Sequence, residues 1–327
     1  RRRQDPGRRG ACQASGIVFV VMLFEMTLDY SLMVPLTATV AVNHVELRMK
    51  SKEGEILVAI DGSAPGRAAA RIGIRLAASE GLAPRGLYIV DEALALDTYS
   101  EPERELASPR DPLSRAALIR EFEAQGRSAL DWLTDHCQKA GVPVRTEILV
   151  GGVPELLSRE AAGARLLTIG RRGHGHAGHG GHLGSTFHAV VHRVELPILI
   201  GGEEERALRR VLIAYDDSPR AREGLDWAAR LQDHLSLELA VVSVQDKGPG
   251  AAEEWLQEAQ DQLGPAREAR LLAASGRPGD AIVATAHEQQ SDLVIMGRYR
   301  HGALLESIVG STVDRVLRES GVVVLMV

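Results

Sequence analysis

The chain is predicted to be an α/β protein built from two tandem doubly wound domains, each with a five-stranded parallel sheet, behind an N-terminal apolar helical segment. Three observations predict it. From Glu55 onward, short β-rich apolar runs alternate with stretches of helical spacing. The alternation occurs twice, so that EILVAIDGSAPGRAAARIGIRLAA from Glu55 returns as RVLIAYDDSPRAREGLDWAARLQ from Arg210. Each copy also carries a glycine-rich segment behind its fourth strand, where such a sheet presents its ligand crevice. The boundaries follow as 1–53 for the leader, 54–202 for the first domain and 207–327 for the second.

The leader comes first along the chain. RRRQDPGRRG is charged like the start of a signal peptide, but no small-residue cleavage site follows Ile17 to Phe24. Gly16 to Leu36 is long enough to cross a bilayer as one helix, yet Glu25, Asp29 and Pro35 interrupt it and favour two short helices broken around Asp29–Tyr30. Residues 16–42 therefore carry an expectation of membrane association, set against a buried apolar hairpin. Phe24, Glu25, Thr27, Tyr30 and Pro35 stand in the order of an F-E-x-T motif followed by an aromatic and a Leu-Pro pair. That segment resembles the late membrane helices of voltage-gated chloride channels and antiporters. The resemblance covers about thirty residues and implies ancestry rather than transport, since no pore can be built from it. The abrupt entry into FEMT is read as the trace of a frameshift or fragmentary gene before Gly16.

In each domain a buried first strand ends in an acidic turn, at Asp61 and Asp216, and a helix of small and aliphatic residues follows. Second strands run through Val90 and Val244. The first copy then carries an acid- and proline-rich insert, Ala93 to Pro112, that reads as a solvated loop. Third strands RTEILVGG and AREARLLAASG lead to a helix, and fourth strands LLTIG and DLVIMG to the glycine-rich loop. Closing helices precede the apolar strands LPILI and GVVVLMV, which would be hazardous as open edges. The boundary falls at Glu203–Glu205, in a linker short enough to keep the domains close. Leu225, Ala228, Ala229 and Leu231, with Trp132 and Trp227, form core stripes.

The chemistry sits in the loops GRRGHGHAGHGGHLGST from Gly170 and GRYRHGALLESIVGST from Gly297. Glycines allow close backbone approach, and the helix start that follows offers unpaired N–H groups to a phosphate. Gly184, Ser185 and Thr186, and Gly310, Ser311 and Thr312, would hold that end; Asp61 or Asp216 would accept hydrogen bonds from a base or ribose. No GK[ST] lysine and no recurring nucleophile, base and orienter are present, so efficient catalysis is not expected. His174, His176, His179 and His182 offer imidazoles for zinc or nickel, but without carboxylate or cysteine partners they read as a solvated loop, and no metal site is assigned.

From Glu55 to Val327 these features resemble the universal stress protein family, whose nucleotide-binding branch carries G-x2-G-x9-G-S/T after strand four. The resemblance implies an adenine nucleotide alpha hydrolase-like fold and ATP, with or without magnesium, as ligand. It places Gly170, Gly173, Gly184 and Ser185, or Gly297, Gly310 and Ser311, on the phosphates. It places Asp61 with Val90, and Asp216 with Val244, on the nucleoside. Closing strands pair subunits in that family, so the two domains are expected to pair within this chain in place of a homodimer.

Both copies depart from the pattern. Arg300 stands where the second copy should have a glycine, and the first has one extra residue before Gly184. Gly152 to Gly170 is three residues shorter than Gly276 to Gly297, and Arg165 replaces the acid found as Asp292, changes expected to tilt the third helix and deform the first pocket. Net charge is -6, which gives no reason to expect nucleic acid. Cys12 and Cys137 suggest neither a disulfide nor a zinc site, which fits a reducing, cytoplasmic setting. The leading reading is a nucleotide-binding stress protein without efficient catalysis. The alternatives are the cytoplasmic regulatory end of a chloride transporter and an interaction scaffold without ligand.

Overall fold

The computed structural model describes residues 54–91, 112–171, 185–204, 206–245, 251–298 and 310–327. The leader 1–53, the insert from Ala93 to Asp111 and most of both glycine-rich loops lie outside the described residues. Pro112, placed in the insert by its composition, instead opens a helix, a position that tolerates its missing N–H.

The first half runs β1 (Ile56–Ala59), α1 (Ala64–Glu80), β2 (Pro84–Val90), α2 (Pro112–Lys139), β3 (Arg145–Val150), α3 (Val153–Ala161), β4 (Leu166–Ile169), α4 (Ser185–Arg193) and β5 (Ile198–Ile200). The second runs β6 (Arg210–Ala214), α5 (Pro219–His234), β7 (Glu238–Gln245), α6 (Ala251–Leu263), β8 (Ala269–Ser275), α7 (Pro278–Glu288), β9 (Leu293–Met296), α8 (Ser311–Glu319) and β10 (Val323–Met326). Strands inside such a sheet are covered on both faces and so read as unbroken apolar runs. Leu57, Val58, Leu166, Leu167, Val294 and Ile295 are fully buried.

The strands form one ten-stranded sheet in the order β3-β2-β1-β4-β5-β10-β9-β6-β7-β8. Each half is parallel throughout. The halves meet at an antiparallel seam in which Ile198 faces Met326, Leu199 faces Leu325 and Ile200 faces Val324. These side chains are all at most 1% exposed, so the two apolar closing strands bury each other. The sheet is thus continuous across the repeat, and the apolar clusters on its two faces both draw residues from both halves. Leu225, Trp227, Ala228 and Leu231 are buried, with Trp132 and Ala229 packed at the core's edge.

The linker is docked. Gly201 N–H donates to the Ile169 carbonyl at 2.9 Å, and Glu203 N–H to the Gly321 carbonyl at 2.8 Å. Gly201 is obligatory there, because a Cβ would lie 1.7 Å from the Pro65 carbonyl oxygen. Among the described residues, no helix is long and apolar enough to cross a membrane.

Candidate functional site

In each half the strand order reverses beside the first strand: β1 pairs with β2 on one side and β4 on the other, and β6 with β7 and β9. Connections leave in opposite directions at that point and open a crevice at the strands' carboxyl ends. Asp61 and Gly170 follow β1 and β4 there, as Asp216 and Gly297 follow β6 and β9.

The acidic turn is tied to the helix behind it. Asp61 Oδ1 accepts from the Ser63 N–H at 2.9 Å and from its hydroxyl at 2.6 Å, while Ser63 Oγ accepts from Gly66 N–H at 3.1 Å and caps α1. In the second half Asp216 Oδ1 accepts from Ser218 N–H at 3.3 Å, and Ser218 Oγ caps α5 through Ala221 N–H at 3.1 Å. Neither serine was given a role from the sequence alone. Their signal was present as D-x-S-x-P and D-x-S-P, an N-cap serine before a proline in the first turn.

The turn takes a positive φ in both halves, at Gly62 (+81°) and at Asp217 (+60°). Asp217 pairs with Arg222, which lies 3.6 Å from Glu258 on α6, and takes a hydrogen bond from the Tyr215 hydroxyl at 3.3 Å. Burial pushes the Tyr215 hydroxyl up to about 12. A hydrogen bond with Asp217 holds the Glu258 carboxyl above the usual carboxylate range. Tyr88 is raised by burial and, secondarily, by the Asp61 charge, which places its ring within electrostatic reach of that turn.

Val90 and Val244 are not equivalent. Gly151 N–H donates to the Val90 carbonyl and Gly276 N–H to that of Gln245, so Val90 matches Gln245 and Val244 matches Ile89. A slip of one residue turns a strand side chain to the other face. Val90 is accordingly fully buried in one apolar cluster, and Val244 packs half-buried against the other.

The same matching pairs Gly151, not Gly152, with Gly276; the two share a positive φ, +146° and +113°. The shortening is therefore smaller than the glycines suggest and falls in the third helix, with nine residues in α3 against eleven in α7. The exchange of Arg165 for Asp292 lies at the strands' amino ends, opposite the crevice. Asp292 Oδ2 accepts from the N–H groups of Arg209 and Arg210, both at 2.9 Å, and Arg165 pairs with Glu80 at 2.9 Å. Arg165 and Asp292 thus stand at the opposite end of the strands from the acidic turns, and the pocket deformation expected from these changes would fall on a loop outside the described residues.

Gly310 precedes α8 in extended conformation, with no side-chain cap on the helix, leaving Ser311 exposed and Thr312 half-buried at its start. Asp314 sits in that first turn, paired with Arg318 at 2.8 Å; α4, which begins at Ser185 and Thr186, has no acid in its first turn. Gly173, Gly184, Arg300 and the four loop histidines lie outside the described residues, as does Cys12. No group of three potential metal ligands occurs among the described residues. Cys137 is buried, and burial pushes its thiol up to about 11.

Residues 54–200 and 207–327 each match the model of the universal stress protein family. A universal stress protein of Synechocystis is 29% identical over 168 residues, 49% of this chain and 56% of that protein; the chain thus spans about half the length of this relative. A universal stress protein structure from Archaeoglobus fulgidus superposes with a TM-score of 0.64 at 21% identity, covering 85% of this chain and 98% of the other. One from Pseudomonas aeruginosa gives 0.60 at 16% identity, over 84% and 92%. At these identities the two structures speak to the fold. Two family matches in tandem, which together cover most of the chain, show that it belongs to the universal stress protein family.

Proposed function

We propose that this chain binds an adenine nucleotide, ATP with or without magnesium, as a regulatory module without efficient turnover. The observation that supports it is the paired arrangement at each crevice: an Asp held on a serine-capped helix, Asp61 or Asp216, beside the strand end that carries Gly170 or Gly297. The carboxylate suits a ribose or base, and the start of α4 or α8 suits a phosphate. The first half is the stronger site. Among the described residues its turn has Gly62 where the second has Asp217, and α4 has no acid in its first turn where α8 has Asp314, so less negative charge opposes a phosphate there. Pairing of the halves through β5 and β10 stands in for a homodimer, in a cytoplasmic setting.

Equilibrium dialysis of the full chain with ATP and magnesium tests this reading. Saturable binding supports it; none at about 1 mM ATP contradicts it and favours the ligand-free scaffold. A second reading, the regulatory end of a chloride transporter, is favoured by Phe24, Glu25, Thr27, Tyr30 and Pro35. Co-flotation of the full chain with phosphatidylcholine vesicles would support attachment through residues 16–42, and its absence would remove that reading.

A further inference from the structure

Each glycine loop begins with an arginine that reaches into the opposite half. Arg171 follows Gly170, is 1% exposed, and donates from Nη2 to the Val322 carbonyl at 2.6 Å. Arg298 follows Gly297, is 6% exposed, and donates from Nη2 to the Leu196 carbonyl at 2.6 Å. Its Nη1 also meets the carbonyls of Val191, at 3.3 Å, and Val194.

The two acceptors hold the same place. Val322 lies between α8 and β10, and Leu196 between α4 and β5. Val191 and Val194 stand at the end of α4, where the last carbonyls lack intrahelical partners and carry the negative end of the helix dipole, so the Arg298 guanidinium is a strong donor there. The Arg298 charge is also among the causes, after burial and His188, that lower the His192 pKa at the end of α4.

The crossing has a consequence for the sites. The root of the first loop grips Val322, in the short turn that joins α8 to β10, and α8 is the helix whose start at Ser311 follows the second glycine loop. The root of the second grips the C-terminal end of α4, which starts beside the first. Each helix has nine residues, about 13 Å at 1.5 Å per residue. A buried guanidinium is costly to strip of its acceptors, so a shift at the loop root is passed to the carbonyl it holds. The three residue pairs of the β5–β10 seam lie between the two grips and keep the halves in register.

We propose that Arg171 and Arg298 are reciprocal positioning residues that couple the two crevices, so that occupying one changes the affinity of the other. This rests on the nucleotide reading for its ligand and on the crossed hydrogen bonds for its route. Linkage makes the effect mutual, and about fivefold or more in affinity is the ordinary scale.

The test is hydrogen exchange of the full chain over the peptides at Ser320–Val323 and Val194–Leu196, with and without ATP and magnesium. Wild type, Arg171→Lys and Arg298→Lys are compared. Lysine keeps the charge but offers one point donor in place of the fork, which spares folding if a shorter substitution does not. Without ligand, Arg171→Lys should speed exchange at Ser320–Val323, and Arg298→Lys at Val194–Leu196, each about tenfold and in the opposite half. Unchanged exchange there overturns the crossed grip.

At an ATP concentration that fills the first site, a chain carrying Asp216→Asn, which weakens the second, should slow exchange at Ser320–Val323, and adding Arg171→Lys should remove that response. A response confined to the ligand's own half, or one that survives Arg171→Lys, overturns the coupling. If no ATP binds while the unliganded exchange changes as expected, the nucleotide reading and the coupling of ATP sites fall, and the crossed grip stands.

Discussion

Asp61 and Ser63 form one hydrogen-bonded unit: the carboxylate accepts from both the backbone N–H and the hydroxyl of the serine, whose oxygen in turn caps α1 through Gly66 N–H. The carboxylate proposed to meet a ligand is also part of the helix cap. Replacing Asp61 by alanine would remove both roles at once, whereas asparagine keeps an acceptor for Ser63 and removes only the charge.

Ser63→Ala should lower stability by about 1 kcal/mol, the ordinary value of an N-cap, and Ser218→Ala should cost about the same. Urea unfolding of the two variants measures this. Loss well below about 0.5 kcal/mol in both would contradict the capping account.

Gly201→Ala should be far more damaging than Gly81→Ala. The first drives a methyl into the Pro65 carbonyl, beside the start of α1, and overpacking of that kind costs about 3 kcal/mol. The second has open space and pays only for its φ of +66°, about 1 kcal/mol. Denaturant midpoints of the two variants decide it, and equal costs would contradict the docked linker.

Asp292→Ala removes the acceptor shared by the Arg209 and Arg210 N–H groups and should destabilise by about 1–3 kcal/mol. Because it lies at the amino ends of the strands, ATP affinity should stay within about twofold of wild type. A large loss of affinity with little loss of stability would move Asp292 into the site.

Glu258 titrates above the usual carboxylate range because of Asp217. An acid whose folded pKa is raised contributes stability that is present below its unfolded pKa and lost as pH rises through the folded value. Glu258→Gln should therefore flatten the stability profile through the acid range and leave the chain slightly more stable above it. Urea titrations across pH at low salt check this, and an unchanged profile would contradict it.

The fold was largely legible because the strands are unbroken apolar runs and the pattern repeats, which put Asp61 and Asp216 at equivalent strand ends. The same uniformity hid the register of the second strand. Ile89–Val90 and Val244 offer no alternation between faces, so apolar residues one position apart were paired, and hydrogen bonding from Gly151 and Gly276 was needed to separate them. The doublet Gly151–Gly152 likewise concealed which glycine carries the positive φ. Arg171 and Arg298 recur after Gly170 and Gly297, but their acceptors lie in the other half, a distance that local pattern does not encode.

The most direct test is calorimetric titration of the full chain with ATP and magnesium, comparing wild type with Asp61→Asn and Asp216→Asn at matched folding. Binding weakened about tenfold or more by Asp61→Asn, a loss of one charge-assisted hydrogen bond, and less by Asp216→Asn is the predicted result. Undiminished affinity in both variants, or no heat of binding in the wild type, would contradict a nucleotide site at these acidic turns.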